Sequence, residues 1–221
     1  MAMLKVISDE ADFIVAVKPA GLSFHSEQGA GFVALLEAQK ACKLYPVHRL
    51  DKVTSGLIVL GKSSQAAAML TELFSNRLVD KFYLAITEGK PKKKQGWIKG
   101  DMSPSRRGTY KLEKTSKNPA VTRFYSTSLG EGLRGVILKP FSGKTHQLRV
   151  AMKSISSPIL GDTAYTASSS DRVYLHAFAL SFQWQGQDKY FSYLPDTGKE
   201  FSKLVTTDAF QQWKAPLNLD W

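Results

Sequence analysis

The sequence predicts an α/β (α+β) chain forming a single catalytic domain over 1–221, built on a long mixed, mainly antiparallel sheet flanked by helices and loops. Two observations lead there. Short apolar runs of strand length recur along the chain, and between them lie segments with helical spacing of apolar residues. There is also no internal repeat, low-complexity tract or linker that would mark a domain boundary in 221 residues.

The elements follow in order. Leu4–Ile7 and Phe13–Val17 read as strands separated by the turn-like Ser8-Asp9-Glu10. Lys18-Pro19-Ala20-Gly21 leaves the sheet, because Pro19 has no donor and Gly21 favours a turn. Phe32–Cys42 has helical spacing, with Phe32, Leu35 and Leu36 on one side. A loop over His48–Ser55 feeds the apolar run Gly56–Leu60. Ser63 or Ser64 then caps a helix to about Leu78 that carries Ala66, Met69, Leu70, Leu73 and Phe74 on one face. Phe82–Thr87, Val121–Thr127, Arg134–Lys139 and Tyr174–Trp184 read as further strands, His146–Lys153 as a short helix. The stretch between them, with Gly96, Gly100, Pro104, Gly108 and Pro119, reads as loops and short hairpins.

Composition bounds the function. A single cysteine, Cys42, precludes an intramolecular disulfide and a Cys-pair zinc site, and its apolar setting predicts a buried thiol. No run approaches the roughly 18 apolar residues of a membrane span, and Lys5, Asp9, Glu10 and Asp12 interrupt any secretory core, so a cytoplasmic protein without membrane contact is expected. The net charge is +11. Ten basic residues between Lys90 and Lys117 face only Asp101 and Glu113, so eight of those charges lie in one stretch. Lys and Arg displace counterions from phosphates, so a polyanionic partner is one use of the excess. Charge alone leaves a merely solvated basic loop equally open.

The segment His48-Arg49-Leu50-Asp51-Lys52-Val53-Thr54-Ser55-Gly56-Leu57 concentrates chemistry. It sets an acid, bases, an imidazole and two hydroxyls in a loop entering a buried strand. A carboxylate there is partly desolvated and needs a cation or hydrogen bonds to stay ionised. Thr54 and Ser55 can shape the loop through its backbone, and Gly56 permits a conformation closed to other residues. Residue types alone leave two readings, a turn-capping Asp51 and a catalytic one.

This signature resembles that of the RluA family of pseudouridine synthases, and the resemblance runs in order along most of the chain. Lys18-Pro19-Ala20-Gly21-Leu22, with His25 beyond, is similar to the family's opening motif, and Lys81-Phe82-Tyr83-Leu84-Ala85 to its next. Gly143-Lys144-Thr145-His146-Gln147-Leu148-Arg149 is similar to the third. Pro158-Ile159-Leu160-Gly161-Asp162 and Leu175-His176-Ala177 match later landmarks. The resemblance implies a pseudouridine synthase fold and an RNA substrate, ribosomal or transfer RNA, isomerised with no cofactor and no metal; a monomer is the simpler expectation. It makes Asp51 the catalytic carboxylate, Tyr83 the residue against the target base, and Arg149 the partner of Asp51. Substrate contacts carried over with the motifs are His48, Arg49, Thr54, Lys81, Lys144, His146 and Gln147. No S4-type RNA-binding module is expected, since strand-like sequence begins near Leu4.

The departures from the pattern are local. Lys144 stands where the family usually has Arg, which keeps the charge and loses the fork. Ala151 replaces a common His, and Ser156-Ser157 a usual Gly-His. Other readings are weaker. Gly143-Lys144-Thr145 is not a P-loop, because the required Gly is Leu138. The four histidines are scattered without cysteines, which argues against zinc. A glycoside hydrolase would need a second acid, and the only candidate, Asp162, follows Gly161 in what reads as a turn.

Overall fold

A computed structural model describes residues 3–27 and 29–221, which fall into two compact units. The first comprises residues up to 81 together with 177–194. Its strands are β1 (Val6–Asp9), β2 (Phe13–Lys18), β3 (Tyr45–Pro46) and β4 (Ser55–Gly61), followed later by β11 (Leu175–Trp184) and β12 (Gln187–Ser192). β1 and β4 pair antiparallel with β2, β3 pairs with β4, and β12 pairs with β11. Every residue of β2 and β4 is buried, which is why both read as continuous apolar runs rather than alternating ones. Helices α1 (Phe32–Lys40) and α2 (Ser64–Ser75) complete the unit.

The helix ends have local causes. The Ser63 hydroxyl accepts the Ala66 N–H at 3.1 Å and starts α2. α1 stops at a left-handed Ala41, φ 51°, so Cys42 lies beyond the helix. Cys42 is exposed, contrary to the buried thiol expected from its apolar surroundings. The Gln185-Gly186 turn between β11 and β12 has φ of 50° and 78°, a pair of left-handed residues that suits a two-residue hairpin. The core gathers Phe13, Val15, Val17, Leu57, Val59, Leu70, Leu180, Phe182 and Trp184.

The second unit comprises 82–176 and 195–221. β5 (Asp80–Glu88), β10 (Leu133–Pro140), β9 (Ala120–Gly130) and β6 (Gln95–Gly100) lie side by side, each pair antiparallel, with β6 outermost. The basic stretch therefore supplies an edge strand. It continues into a hairpin of β7 (Met102–Pro104) and β8 (Tyr110–Leu112) whose tip carries Arg106 and Arg107. All ten of its Lys and Arg residues are exposed. α3 (Gln147–Ser154) lies against β8, β9 and β10. Near the end of the chain come α4 (Lys199–Val205) and α5 (Asp208–Trp213). Leu204 of α4 sits over Gly135, where a Cβ would come within 2.4 Å of it. No helix among the described residues is long and apolar enough to cross a membrane.

Candidate active site

In the first unit the loop between β3 and β4 presents Asp51. Leu50 anchors it at 5% exposure while Asp51 is half-buried and Arg49 exposed, so neighbouring residues face opposite ways. The Thr54 N–H donates to the Asp51 carbonyl at 3.0 Å and closes a turn. Thr54 and Ser55 are buried behind it. Gly56 has φ 118°, and a Cβ there would stand 2.3 Å from the Ala177 carbonyl oxygen, so only glycine lets the strand pass.

Lys18 was visible in the sequence as part of a motif, but its role there was not. Its side chain is completely buried, and Nζ donates to the carbonyls of Pro19 and Leu22 at 2.8 Å and of Lys52 at 3.1 Å. The Gly21 N–H reaches the same Lys52 carbonyl at 2.8 Å. A charge taken out of water needs such a set of acceptors, and here they belong to two loops. The ammonium thus clasps the opening motif to the loop that carries Asp51.

His48 lies where the β3–β4 ladder runs out after Pro46. Its Nε2 accepts the Val59 N–H at 3.0 Å, and its ring stacks on Phe74 with centroids 4.3 Å apart. An accepting Nε2 places the proton of the neutral ring on Nδ1. Burial, then the nearby Lys81 charge, push His48 down to about 3, so at neutral pH it adds no positive charge for a phosphate. Lys81 sits over the same Phe74 ring, 5.9 Å from its centroid. Burial lowers its proton affinity as well, with Asp80 opposing the shift and Arg77 adding to it.

In the second unit Tyr83 is half-buried on β5, opposite Leu138 of β10. Arg149, on α3, is 6% exposed and Asp162 1%. The two meet as a fork, Nε to Oδ2 at 2.7 Å and Nη2 to Oδ1 at 2.9 Å. The guanidinium also lies over the Tyr165 ring, 4.9 Å from its centroid. Asp162 does begin the turn expected from Gly161-Asp162, since its carbonyl accepts the Tyr165 N–H at 2.9 Å. What the sequence did not reveal is that the carboxylate of that turn holds Arg149.

The third motif is mostly turned inward. Both ends of the Gln147 amide are spent: Oε1 accepts from Ser142 Oγ at 2.8 Å and the Lys144 N–H at 3.0 Å, while Nε2 donates to Val121 O and Thr122 Oγ1, each at 3.0 Å. Gln147 therefore fastens the loop bearing Lys144 to β9. His146 takes a left-handed conformation, φ 58°, and its Nδ1 lies 2.8 Å from the Tyr165 hydroxyl. That hydroxyl also accepts the Tyr110 N–H at 3.0 Å, so Tyr165 joins the basic hairpin to the helix of Arg149. Among the described residues no cluster of His, Cys, Asp and Glu is arranged to hold a metal ion.

Comparison with known proteins points one way. The family model described as RNA pseudouridylate synthase matches residues 12–154. An uncharacterized RNA pseudouridine synthase of Haemophilus influenzae is 45% identical over 212 residues, 94% of this chain and 95% of that protein. A ribosomal large subunit pseudouridine synthase C of Rickettsia bellii is 37% identical over 186 residues, 76% of this chain but 60% of the relative's length. Among solved structures, human RNA pseudouridylate synthase domain containing 1 shares the fold, with a TM-score of 0.81 at 22% identity over 98% of this chain and 96% of that one.

Proposed function

The chain belongs to the RluA-type family of RNA pseudouridine synthases, and on that premise we propose that Asp51 is the carboxylate with which it isomerises uridine in RNA. The observation that carries this reading is the build of the Asp51 loop. A half-buried carboxylate stands on a turn held from one side by a fully buried lysine and from the other by a glycine no residue can replace. A turn-capping aspartate needs no such support.

The reaction breaks the bond between ribose C1′ and uracil N1 and rejoins C1′ to C5; the C5 proton is lost and N1 gains one. Nothing is oxidised or released, so the isomerisation requires neither cofactor nor metal. The uridine first leaves its stack, as bases in structured RNA do for chemistry on the base. Asp51 acts in its ionised form, either by attack at C1′ or by taking a ribose proton. Arg149 is the cation assigned to keep it ionised. The Asp162 fork supports that assignment by fixing the guanidinium plane. Tyr83 stacks on the extruded uracil and assists the last proton transfer. Its phenol, with a reference pKa of about 10, serves better as a platform than as a base.

Arg49, exposed beside Asp51, contacts a phosphate or fills the space the base leaves. Lys81 and Lys144 supply further cations, while His48, Thr54, His146 and Gln147 act on the RNA through the loops they shape. The ten exposed cations of Lys90–Lys117 grip the backbone without reading sequence. The whole span works as one catalytic domain, a cytoplasmic monomer acting on ribosomal or transfer RNA.

The test is direct. Purified protein is incubated with RNA from a strain lacking it, and pseudouridine is mapped chemically. Conversion that disappears in Asp51→Asn, with RNA binding retained, is the expected result. Binding without conversion by wild type would make the chain a silent RNA-binding relative instead.

A further inference from the structure

We propose that the outer margin of the β6–β9–β10 face, centred on Trp97, is a second RNA-contact surface that stacks an unpaired base of the substrate. The proposal rests on the chain acting on RNA, and adds where on the second unit that RNA is held. Trp97 on β6 is 43% exposed. Its strand register sets it opposite Arg123 of β9, and Arg123 lies opposite Lys139 of β10. Lys99 and the Arg123 guanidinium lie over the Trp97 ring, 4.7 and 5.1 Å from its centroid, and the Phe141 ring is 5.1 Å away. Lys139 lies 5.2 Å from Phe82 and 5.3 Å from Phe141. Phe82 alternates with Tyr83 along β5, so this surface is on the opposite face of the sheet from Tyr83.

Other parts of that face are covered. Leu204 of α4 packs on Gly135, and Trp221 covers Phe82 and Tyr125 with centroids 5.4 and 5.3 Å away. Trp97 is left uncovered at the edge. Lysines on an edge strand alone would be explained as protection against pairing with another sheet. A large exposed indole on the same strand works against that protection, so it calls for a partner. Arg123 is also underused: among the described residues its buried Nε has no hydrogen-bond partner, and Nη2 makes two long bonds, 3.4 Å to the Tyr125 hydroxyl and 3.5 Å to the Asp220 carbonyl. A nucleobase can take the place of the exposed Lys99 over the indole, since bases of any identity stack on aromatic rings, and Lys99, Arg123 and Lys139 are then at hand for its phosphates.

The experiment compares wild type with Trp97→Leu. Fluorescence anisotropy measures binding of labelled oligouridine, and steady-state kinetics measure conversion of the substrate RNA. We expect oligouridine binding to weaken by about tenfold, as removal of one stacking platform does, with KM raised and kcat unchanged. A variant that melts like wild type and binds as tightly overturns the proposal, as does a loss confined to kcat. Ultraviolet crosslinking of wild type to the same oligouridine decides the matter if the variant does not fold. A crosslink within Gln95–Lys99 supports the surface, and crosslinks only elsewhere remove it. If wild type neither binds nor converts RNA, it is the proposed function that fails, and this surface with it.

Discussion

Arg149 and Asp162 form a two-point ion pair that water barely reaches, with donor–acceptor distances of 2.7 and 2.9 Å. Such a pair is costly to assemble and costlier to break, because removing one member leaves a desolvated charge behind. Asp162→Ala is expected to destabilise the protein by about 3–5 kcal/mol in urea unfolding. Asp162→Asn, which keeps one acceptor, should lose less stability but still lower kcat by freeing the guanidinium to rotate. Wild-type stability in the alanine variant would mean that Arg149 is held by something else.

His48 predicts how stability follows pH. Its pKa falls from a reference near 6.5 in the unfolded chain to about 3 in the folded one. Between those values the unfolded state binds more protons, so folding stability rises with pH. The full contribution is present above about 6.5 and is lost progressively as pH falls towards 3. Lowering pH from about 7.5 to 5 should cost wild type at most ~2 kcal/mol through this group. His48→Gln should show a correspondingly smaller loss in paired urea titrations, and an unchanged slope would rule the imidazole out.

At Gly56 two independent constraints coincide, a φ of 118° and a Cβ position 2.3 Å from a backbone oxygen of Ala177. Neither constraint involves a flexible side chain, so nothing can yield cheaply. Gly56→Ala is expected to cost upwards of about 2 kcal/mol and to displace the Asp51 loop. Soluble yield and melting temperature report the first effect. Any protein recovered should show depressed kcat. Normal activity would detach the loop from its strand.

What the sequence disclosed depended on how local the signal was. The start of α2 was legible because Ser63 both precedes the apolar face and caps it. β2 and β4 were legible because burial on both faces leaves an unbroken apolar run. The helices α4 and α5, seven and six residues long, were not, since one or two turns cannot establish a period. Cys42 was misjudged because its apolar neighbours belong to a helix that ends before it. Among the proposed functional residues, the acid, the tyrosine and the arginine stood out through the resemblance. The buried acceptors around Lys18 and the hold of Asp162 on Arg149 did not, because both join residues that only folding brings together.

The basic hairpin yields a prediction about salt. Arg106 and Arg107 sit at the β7–β8 tip, exposed and outside the core, so glutamine at both positions should leave stability within about 0.5 kcal/mol of wild type. Removing one cation from a phosphate flattens the dependence of log affinity on log salt by roughly 0.7–0.9. If both arginines touch phosphates, the double variant's slope should be shallower by about 1.4–1.8, with weaker binding at low salt and convergence with wild type as salt rises. Anisotropy titrations of the substrate RNA at several salt concentrations measure this. Parallel lines for the two proteins would move the phosphate grip off the hairpin tip and onto the edge-strand lysines.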